Sequence, residues 1–237
     1  MRVLVTNCNT SGSMTQEIVR GARAAAGPGT VIEGLTPSWG PESAEGWLDS
    51  YLSAAAVLDA LRTYEGSAYD AVVMAGFGEH GREGARELVD VPVVDITEAA
   101  AHLACLLGRR YGVVTTLERS CGQIEDSLHT AGVGAHCVAV VGTGLGVLEL
   151  TDAARTQAAF VAAAGRARDA GAEVLVLGCA GMTGLERVVA EKLGMPVVDG
   201  VAAGVRLAES LVALGLGTSR AGGYARPLEK RRSWGRP

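Results

Sequence analysis

The sequence predicts an α/β fold of two pseudo-symmetric Rossmann-like lobes, each built on a parallel sheet. Short β-branched segments alternate with alanine-rich segments of about ten or more residues, which is typical of βα units. The segment 69–104 also resembles the segment 172–208 along its whole length. The chain has 237 residues, 48% of them hydrophobic, so it can bury one large core or two smaller ones. We therefore expect one lobe to be a copy of the other.

The individual elements follow from local patterns. Each predicted strand is a short apolar run, rich in valine and bounded by glycine, proline or polar residues; these runs lie at 3–7, 70–75, 92–96, 111–116, 137–141, 173–178 and 196–200. Each predicted helix is a longer segment, most of them rich in alanine, at 13–26, 82–89, 98–108, 151–170, 185–194 and 202–215. Thr183 stands three residues before Glu186, a capping-box spacing that predicts the start of the helix at 185–194.

The internal repeat predicts where a ligand binds. It aligns Asp95 with Asp199 and Gly76 with Cys179. Two such lobes facing each other bring the carboxyl ends of their strands to a shared crevice, where open parallel sheets bind ligands. We predict that lobe 1 comprises residues 1–97 plus 206–225, that lobe 2 comprises 98–205, and that the charged tail 226–237 is disordered.

Composition and charge exclude several function classes. The net charge is −5 and basic residues are scattered until the end of the chain, so we expect no nucleic-acid binding. No window approaches the roughly 18 apolar residues of a membrane helix, so we expect no membrane contact and a cytoplasmic location. The five cysteines form no CxxC pair and only four histidines accompany them, so we expect free thiols and no metal site.

Two tryptophans lie in a segment rich in glycine and proline. Trp39 and Trp47 are placed either to cover the crevice, to pack in the core or to meet a neighbouring subunit. We expect a small-molecule ligand and a homo-oligomer.

Cys179 is the first candidate for chemistry. It follows a buried strand and stands between Gly178 and Gly181, which let another group approach the backbone closely. A helix beginning just after it would lower the thiol pKa from about 8.5 towards neutrality, making Cys179 a base or a nucleophile. The structural alternative is a small buried core residue, as most free cysteines are.

Two other loops carry weaker signals. The segment 76–81 matches G-x-G-x-x-G, but Asp95 follows Gly81 by 14 residues rather than the about 20 of a dinucleotide site, so we expect no nucleotide cofactor. Asn9 follows the first strand, and Thr116 and Ser120 hold the matching place in the second lobe. These polar residues either cap helices or hold a ligand carbonyl or carboxylate.

Several segments together carry a family resemblance. They are LVTNCNTSGSMT, GPESAEG, GFGEHGREGARELVDVPVVDITEAA, RRYGVVTTLERS, VLGCAGM and PVVDGVAAGVRLAESL. They resemble the hydantoin/allantoin racemase family of the aspartate/glutamate racemase superfamily along nearly the whole chain, as far as about Tyr224. VLGCAGM and TTLERS are the most specific.

The resemblance implies cofactor-independent proton transfer at a carbon next to a carbonyl, with one thiol on each side of the substrate. One thiolate removes a proton from one face, the opposite thiol delivers a proton to the other, and backbone N–H groups hold the enolate. Cys179 matches the second cysteine of the family, but the first position is Gly76, which we expect to widen the pocket. As candidates for a second base we consider Cys8, Cys121, Glu79 and His80, and the residues expected to contact substrate are Asn9, Gly76, Phe77, Gly78, Thr116, Ser120, Ala180 and Gly181.

Three interpretations follow from the glycine at position 76. The chain is a hydantoin or allantoin racemase with a substitute second base, which is the interpretation that we favour because this resemblance covers most of the chain. Alternatively it is a single-cysteine decarboxylase, since arylmalonate decarboxylases of the same superfamily look similar in keeping only the second cysteine. The third interpretation is a binding protein without catalytic activity, because a fold alone does not determine function.

Overall fold

A computed structural model describes residues 1–150, 153–182 and 185–232 of the chain. Its strands are β1 (Arg2–Thr6), β2 (Val31–Leu35), β3 (Ala71–Met74), β4 (Val93–Asp95), β5 (Tyr111–Thr115), β6 (Cys137–Gly142), β7 (Val174–Leu177) and β8 (Val197–Asp199). Its helices are α1 (Gly12–Ala25), α2 (Trp47–Arg62), α3 (Arg82–Leu88), α4 (Ile96–Leu107), α5 (Cys121–Thr130), α6 (Ala153–Asp169), α7 (Glu186–Leu193) and α8 (Gly200–Ala213).

The strands form two four-stranded sheets with the same topology. The first has the order β2-β1-β3-β4 and the second β6-β5-β7-β8, and every pairing is parallel. The central strands β3 and β7 are fully buried, as expected of parallel strands covered by helices on both faces. The predicted α/β fold of two pseudo-symmetric lobes is confirmed.

Two helices join the lobes, because each of them follows a strand of one sheet and packs on the other sheet. Helix α4 leaves the first sheet after β4 and packs on β7 of the second sheet, whereas α8 leaves the second sheet after β8 and packs on β3 of the first. Asp95 caps the start of α4 through the amides of Thr97 and Glu98 (2.8 and 3.2 Å). Asp199 caps α8 in the same way through the amide of Ala202 (2.7 Å). The two aspartates that the repeat aligns therefore hold equivalent positions.

A shared apolar core joins the two lobes where the helices exchange. One buried cluster contains side chains from both sheets, such as Val73 and Val176, together with Ala100 of α4 and Val205 of α8. Gly204 of α8 comes so close to Val73 that a Cβ there would lie 3.0 Å from the valine side chain. The small residues of the two exchanged helices thus bring the sheets together. The proposed division into 1–97 plus 206–225 and 98–205 stays a prediction.

The sequence interpretation omitted three elements. Strand β2 lies at a sheet edge and is mostly accessible, so its short sequence lacks the continuous apolar run of the other strands. Helix α2 carries exposed apolar residues, and α5 begins at Cys121 without a side-chain cap, which weakens the usual sequence signals. Thr183, the predicted cap of α7, lies outside the described residues.

Candidate active site

A narrow cavity of about 40 Å³ lies between the two lobes, where the carboxyl ends of β1, β3, β5 and β7 meet. This is the crevice that the internal repeat predicts. Its lining comprises Asn7, Cys8, Asn9, Met14, Ala44, Ala75, Gly76, Phe77, His80, Thr115, Thr116, Ser120, Gln123, Val147, Gly178, Cys179, Ala180 and Gly181. Both lobes therefore contribute side chains to one small polar chamber.

Cys179 lines this cavity at the end of β7. Burial raises the pKa of its thiol to about 11, although a hydrogen bond from the Gly181 backbone acts in the opposite direction. We expected a pKa near neutrality, and this expectation is wrong for the ligand-free pocket. The reason is the burial of the thiol, which outweighs the hydrogen bond from the Gly181 backbone. The resting group is a protonated thiol.

The wall opposite Cys179 is built around Gly76. A Cβ at position 76 would lie 2.4 Å from His80 Cδ2 and 2.6 Å from Cys8 Cβ. The imidazole and the thiol therefore occupy the space beside the glycine. We expected Gly76 to widen the pocket, but the space is filled.

Cys8 is a second thiol on the cavity wall, and it lies in the loop that follows β1 of lobe 1. Burial raises its pKa to about 12, and the neighbouring Cys179 and Asp95 raise it as well. Cys8 and Cys179 both line the cavity. Both are protonated near neutral pH.

Glu79 occupies a conformation that is rare for its residue type. Its φ is 71°, and it is the only non-glycine residue of the described chain with a positive φ. Its carboxylate accepts hydrogen bonds from the amides of Gly81 and Arg82, both at 2.6 Å. Glu79 is not part of the cavity lining but stands three residues after Gly76 on the same loop. Strained residues of this kind are concentrated at functional sites.

His80, another candidate second base, lines the cavity and is 4% exposed. Burial lowers its pKa, so the imidazole is neutral. Its Nδ1 lies 3.1 Å from Ser50 Oγ, and its ring also hydrogen-bonds the Phe77 backbone. These contacts tie the ring to lobe 1.

Cys121, the fourth candidate, lies away from the cavity. Its Sγ is 3.5 Å from Glu118 Oε2, and burial together with that carboxylate raises its pKa to about 11. The structure therefore does not bring Cys121 to the crevice, because the start of α5 directs it towards Glu118. Cys105 in α4 and Cys137 in β6 pack against the apolar core.

Three polar residues predicted to contact substrate do line the cavity: Asn9, Thr116 and Ser120. The side-chain oxygen of Asn9 accepts from Asn7 Nδ2 (2.8 Å) and the Ser11 amide (3.0 Å), so it shapes its own loop. Ser120 Oγ is buried and has no hydrogen-bond partner among the described residues. A buried hydroxyl without a partner is costly unless a ligand satisfies it.

The backbone amides predicted to hold an anion are only partly available. Phe77, Ala180 and Gly181 line the cavity, but Gly78 does not. The Gly78 amide donates to Thr97 Oγ1 at 2.9 Å. Its predicted role is corrected, because α4 supplies that amide with a buried partner.

Several contacts at the site have no clear signal in the sequence. Gln123 belongs to α5, a helix that the sequence interpretation omitted, and it reaches across to lobe 1 and lines the cavity. Glu45 accepts a hydrogen bond from the amide of Val147 in the other lobe (2.7 Å). This contact joins the two lobes beside the cavity, which Val147 lines. The cavity is small for a five-membered ring, so we expect it to enlarge when substrate enters.

The two tryptophans do not line the cavity. Trp39 donates from its ring nitrogen to Asp59 of α2 (2.9 Å). Trp47 stacks against Tyr51 with ring centroids 6.1 Å apart and is 44% exposed. Neither residue is a lid in this structure.

Two further observations concern only the residues that the structure describes. In that part of the chain, no three His, Cys, Asp or Glu side chains cluster as metal ligands would. No helix within it combines the length and apolarity needed to cross a membrane.

Comparison with known proteins independently supports the family resemblance found in the sequence. The model of the Asp/Glu/hydantoin racemase family matches residues 3–208. A hydantoin racemase from Paenarthrobacter aurescens is 36% identical over 97% of this chain and 99% of its own length. The crystal structure of an allantoin racemase from Pseudomonas fluorescens has 51% identity and a TM-score of 0.95, covering 98% of this chain and 100% of that one. An allantoin racemase from Klebsiella pneumoniae has 41% identity and a TM-score of 0.94, with 98% and 96% covered.

A more distant likeness concerns the decarboxylase interpretation. The crystal structure of an arylmalonate decarboxylase has 19% identity and a TM-score of 0.63, covering 95% of this chain and 98% of that one. At this identity the likeness extends to the fold alone.

The packing around Gly76 makes a testable prediction. Substituting Gly76→Ala should lower the free energy of unfolding by about 1–3 kcal/mol, because the new methyl group overlaps His80 and Cys8. Chemical denaturation measures this change. Gly165→Ala in α6 is the matched control, since nothing lies within 4 Å of its added Cβ, and it should stabilise the protein by about 0.5–1 kcal/mol. Equal effects of the two substitutions would show that the space beside Gly76 is open.

Proposed function

The chain belongs to the Asp/Glu/hydantoin racemase family, and from this membership we propose that it racemises hydantoin-type substrates by proton transfer, without a cofactor. One observation carries the proposal: Cys179, at the family's second cysteine position, lines a cavity between the two lobes. The resemblance to hydantoin and allantoin racemases covers nearly the whole chain. The decarboxylase alternative has only a likeness in fold to support it.

The chemistry begins with the acidity of the substrate. A hydantoin carries a C–H next to a ring carbonyl, and removal of this proton places negative charge on the carbonyl oxygen. Hydrogen-bond donors placed at that oxygen stabilise the charge. Ser120, whose buried hydroxyl has no partner in the described chain, and Thr116 beside it are our candidates for this contact.

Racemisation needs one group that takes a proton and, across the ring, one that gives a proton. Cys179 and Cys8 have raised pKa values of about 11 and about 12, so both thiols are protonated at neutral pH. Two protonated thiols lack the base that begins the reaction unless one of them first loses its proton. A carboxylate on the loop of lobe 1 supplies the missing base.

We assign this role to Glu79. Its strained backbone lies on the loop that carries Gly76, opposite Cys179, and rotation of its side chain would release the carboxylate from the amides of Gly81 and Arg82. Catalytic contacts are often incomplete before substrate binds. Cys8 remains the alternative, because it already lines the cavity.

The proton balance follows from this assignment. Glu79 removes the C–H proton of one enantiomer from one face, and the Cys179 thiol gives its proton to the opposite face. The enzyme then holds a protonated Glu79 and a Cys179 thiolate. This form converts the opposite enantiomer, or returns to the resting form by proton exchange with solvent.

Two further features of the protein are also proposals. A homo-oligomer is supported by exposed apolar residues of α2, among them Leu48 and Tyr51 at 72% and 67% exposure; a solution mass of one chain, 24.2 kDa, would contradict it. A cytoplasmic location is supported by the five cysteines, all of which are free thiols.

The variant Cys179→Ser should lose racemisation by about 10²–10⁴-fold, because a hydroxyl is a much weaker acid than a thiol. The decay of optical rotation of a single hydantoin enantiomer measures the loss. Cys105→Ser is the control, since that cysteine lies away from the cavity, and it should retain activity. Unchanged turnover of the Cys179 variant would remove this residue from the mechanism.

Glu79→Gln tests the second base. In deuterated water, C–H exchange of one enantiomer should fall by about 10²-fold or more. Exchange of the other enantiomer should persist through Cys179 and increase as the pH approaches the thiol pKa of about 11. Proton NMR on each pure enantiomer separates the two rates.

Cys8→Ala is the matched comparison for Glu79→Gln. We expect this variant to exchange and invert both enantiomers at close to the wild-type rates. A loss confined to one enantiomer in the Cys8 variant, with none in the Glu79 variant, would assign the second proton transfer to Cys8.

A further inference from the structure

The loop that carries Glu79 is held in place by residues with no assigned role. A positive φ is unfavourable for glutamate, so the Gly78–Glu79 segment keeps this conformation only if its surroundings enforce it. On one side, the Gly78 amide donates to Thr97 Oγ1 (2.9 Å). The carbonyl groups of Gly78 and Glu79 are held from the other side.

Gln123, which belongs to the opposite lobe, contacts these two carbonyl groups through its side-chain amide. Its Nε2 donates to Ser50 Oγ at 2.6 Å and to the Gly78 carbonyl at 3.3 Å. The Glu79 carbonyl lies 3.5 Å from the same nitrogen. One amide group of α5 therefore crosses the crevice and contacts both peptides of the strained segment.

Ser50 of α2 is the meeting point of these contacts. Its hydroxyl lies 3.3 Å from the Glu79 carbonyl, to which it donates, and 3.1 Å from His80 Nδ1. Ser50, His80 and Gln123 are 5%, 4% and 6% exposed. Buried polar groups that lose their partners are costly, so these three hold one another in a defined arrangement.

Because the hydrogen bonds of Gln123 join the two lobes, a movement of one lobe relative to the other would break them. Gln123 moves with lobe 2, whereas Ser50 and the Glu79 loop move with lobe 1. If the lobes separate to admit substrate, the Gln123 amide withdraws from the loop. Closure restores the contacts and fixes the loop again.

Resting on the proposed function, we propose that Gln123 and Ser50 are positioning residues that hold the Glu79 loop in its left-handed conformation, so that the base opposite Cys179 is assembled when the lobes close. Neither residue transfers a proton. Gln123 also lines the cavity, where a direct contact with substrate would affect both enantiomers, whereas an effect through Glu79 concerns one face of the substrate.

Because the expected effect concerns one face of the substrate, a comparison of the two enantiomers tests the proposal. In Gln123→Met, which keeps the length of the side chain and removes its amide, C–H exchange in deuterated water should fall about tenfold for the enantiomer served by Glu79. Exchange of the opposite enantiomer, which is served by Cys179, should change less than about twofold. Proton NMR on each pure enantiomer of a 5-substituted hydantoin gives both rates after subtraction of the uncatalysed exchange.

Two further variants accompany the experiment. Ser50→Ala removes the shared hydroxyl and should produce the same one-sided loss, which keeps the test decisive if Gln123→Met is unstable. Asp126→Asn, at an exposed position of the same helix, should leave both rates unchanged.

The outcomes separate the inference from the function on which it rests. An equal loss for both enantiomers, or no loss for either, in both Gln123→Met and Ser50→Ala would overturn the positioning role while the racemase activity of the wild type stands. If the wild type exchanges neither enantiomer of the hydantoin, the proposed function itself fails, and the positioning role fails with it.

Discussion

The exchange of α4 and α8 between the lobes is the constraint on which the rest of the structure depends. Each helix starts at the edge of one sheet and packs beneath the central strand of the other. Small residues such as Gly204 allow this close approach. Because the two exchanges are equivalent, β3 and β7 end opposite each other, and every loop that follows them faces the same cavity. The candidate active site is thus a consequence of the internal repeat.

The two sides of the cavity are equivalent in backbone but differ in chemistry. Lobe 2 presents Cys179, whose thiol is protonated because burial raises its pKa. Lobe 1 presents Gly76, and the space beside it is filled by Cys8 and His80. This difference suits a reaction in which a carboxylate takes a proton on one side and a thiol gives one on the other. The inter-lobe contact of Gln123 with Gly78 then links the geometry of that reaction to closure of the lobes.

Much of the fold could be predicted from the sequence, because repeated valine runs and the aligned pair Asp95 and Asp199 report directly on local structure. The position of Cys179 at the cavity follows from the same repeat. The pKa of its thiol was not predictable, since it depends on burial in the folded chain. The contacts of Gln123 and the filling of the space beside Gly76 depend on side chains that are distant in the chain, and no local pattern signals them.

The central claim is that one proton-transfer group from each lobe flanks the reacting carbon. A crystal structure of Cys179→Ser with a bound 5-substituted hydantoin tests this claim most directly. Our account predicts that the side chain at position 179 and the carboxylate of Glu79 lie on opposite faces of the ring carbon, each about 3–3.5 Å from it. A ring bound with both groups on the same face, or with the Glu79 carboxylate still on the amides of Gly81 and Arg82, would contradict the account.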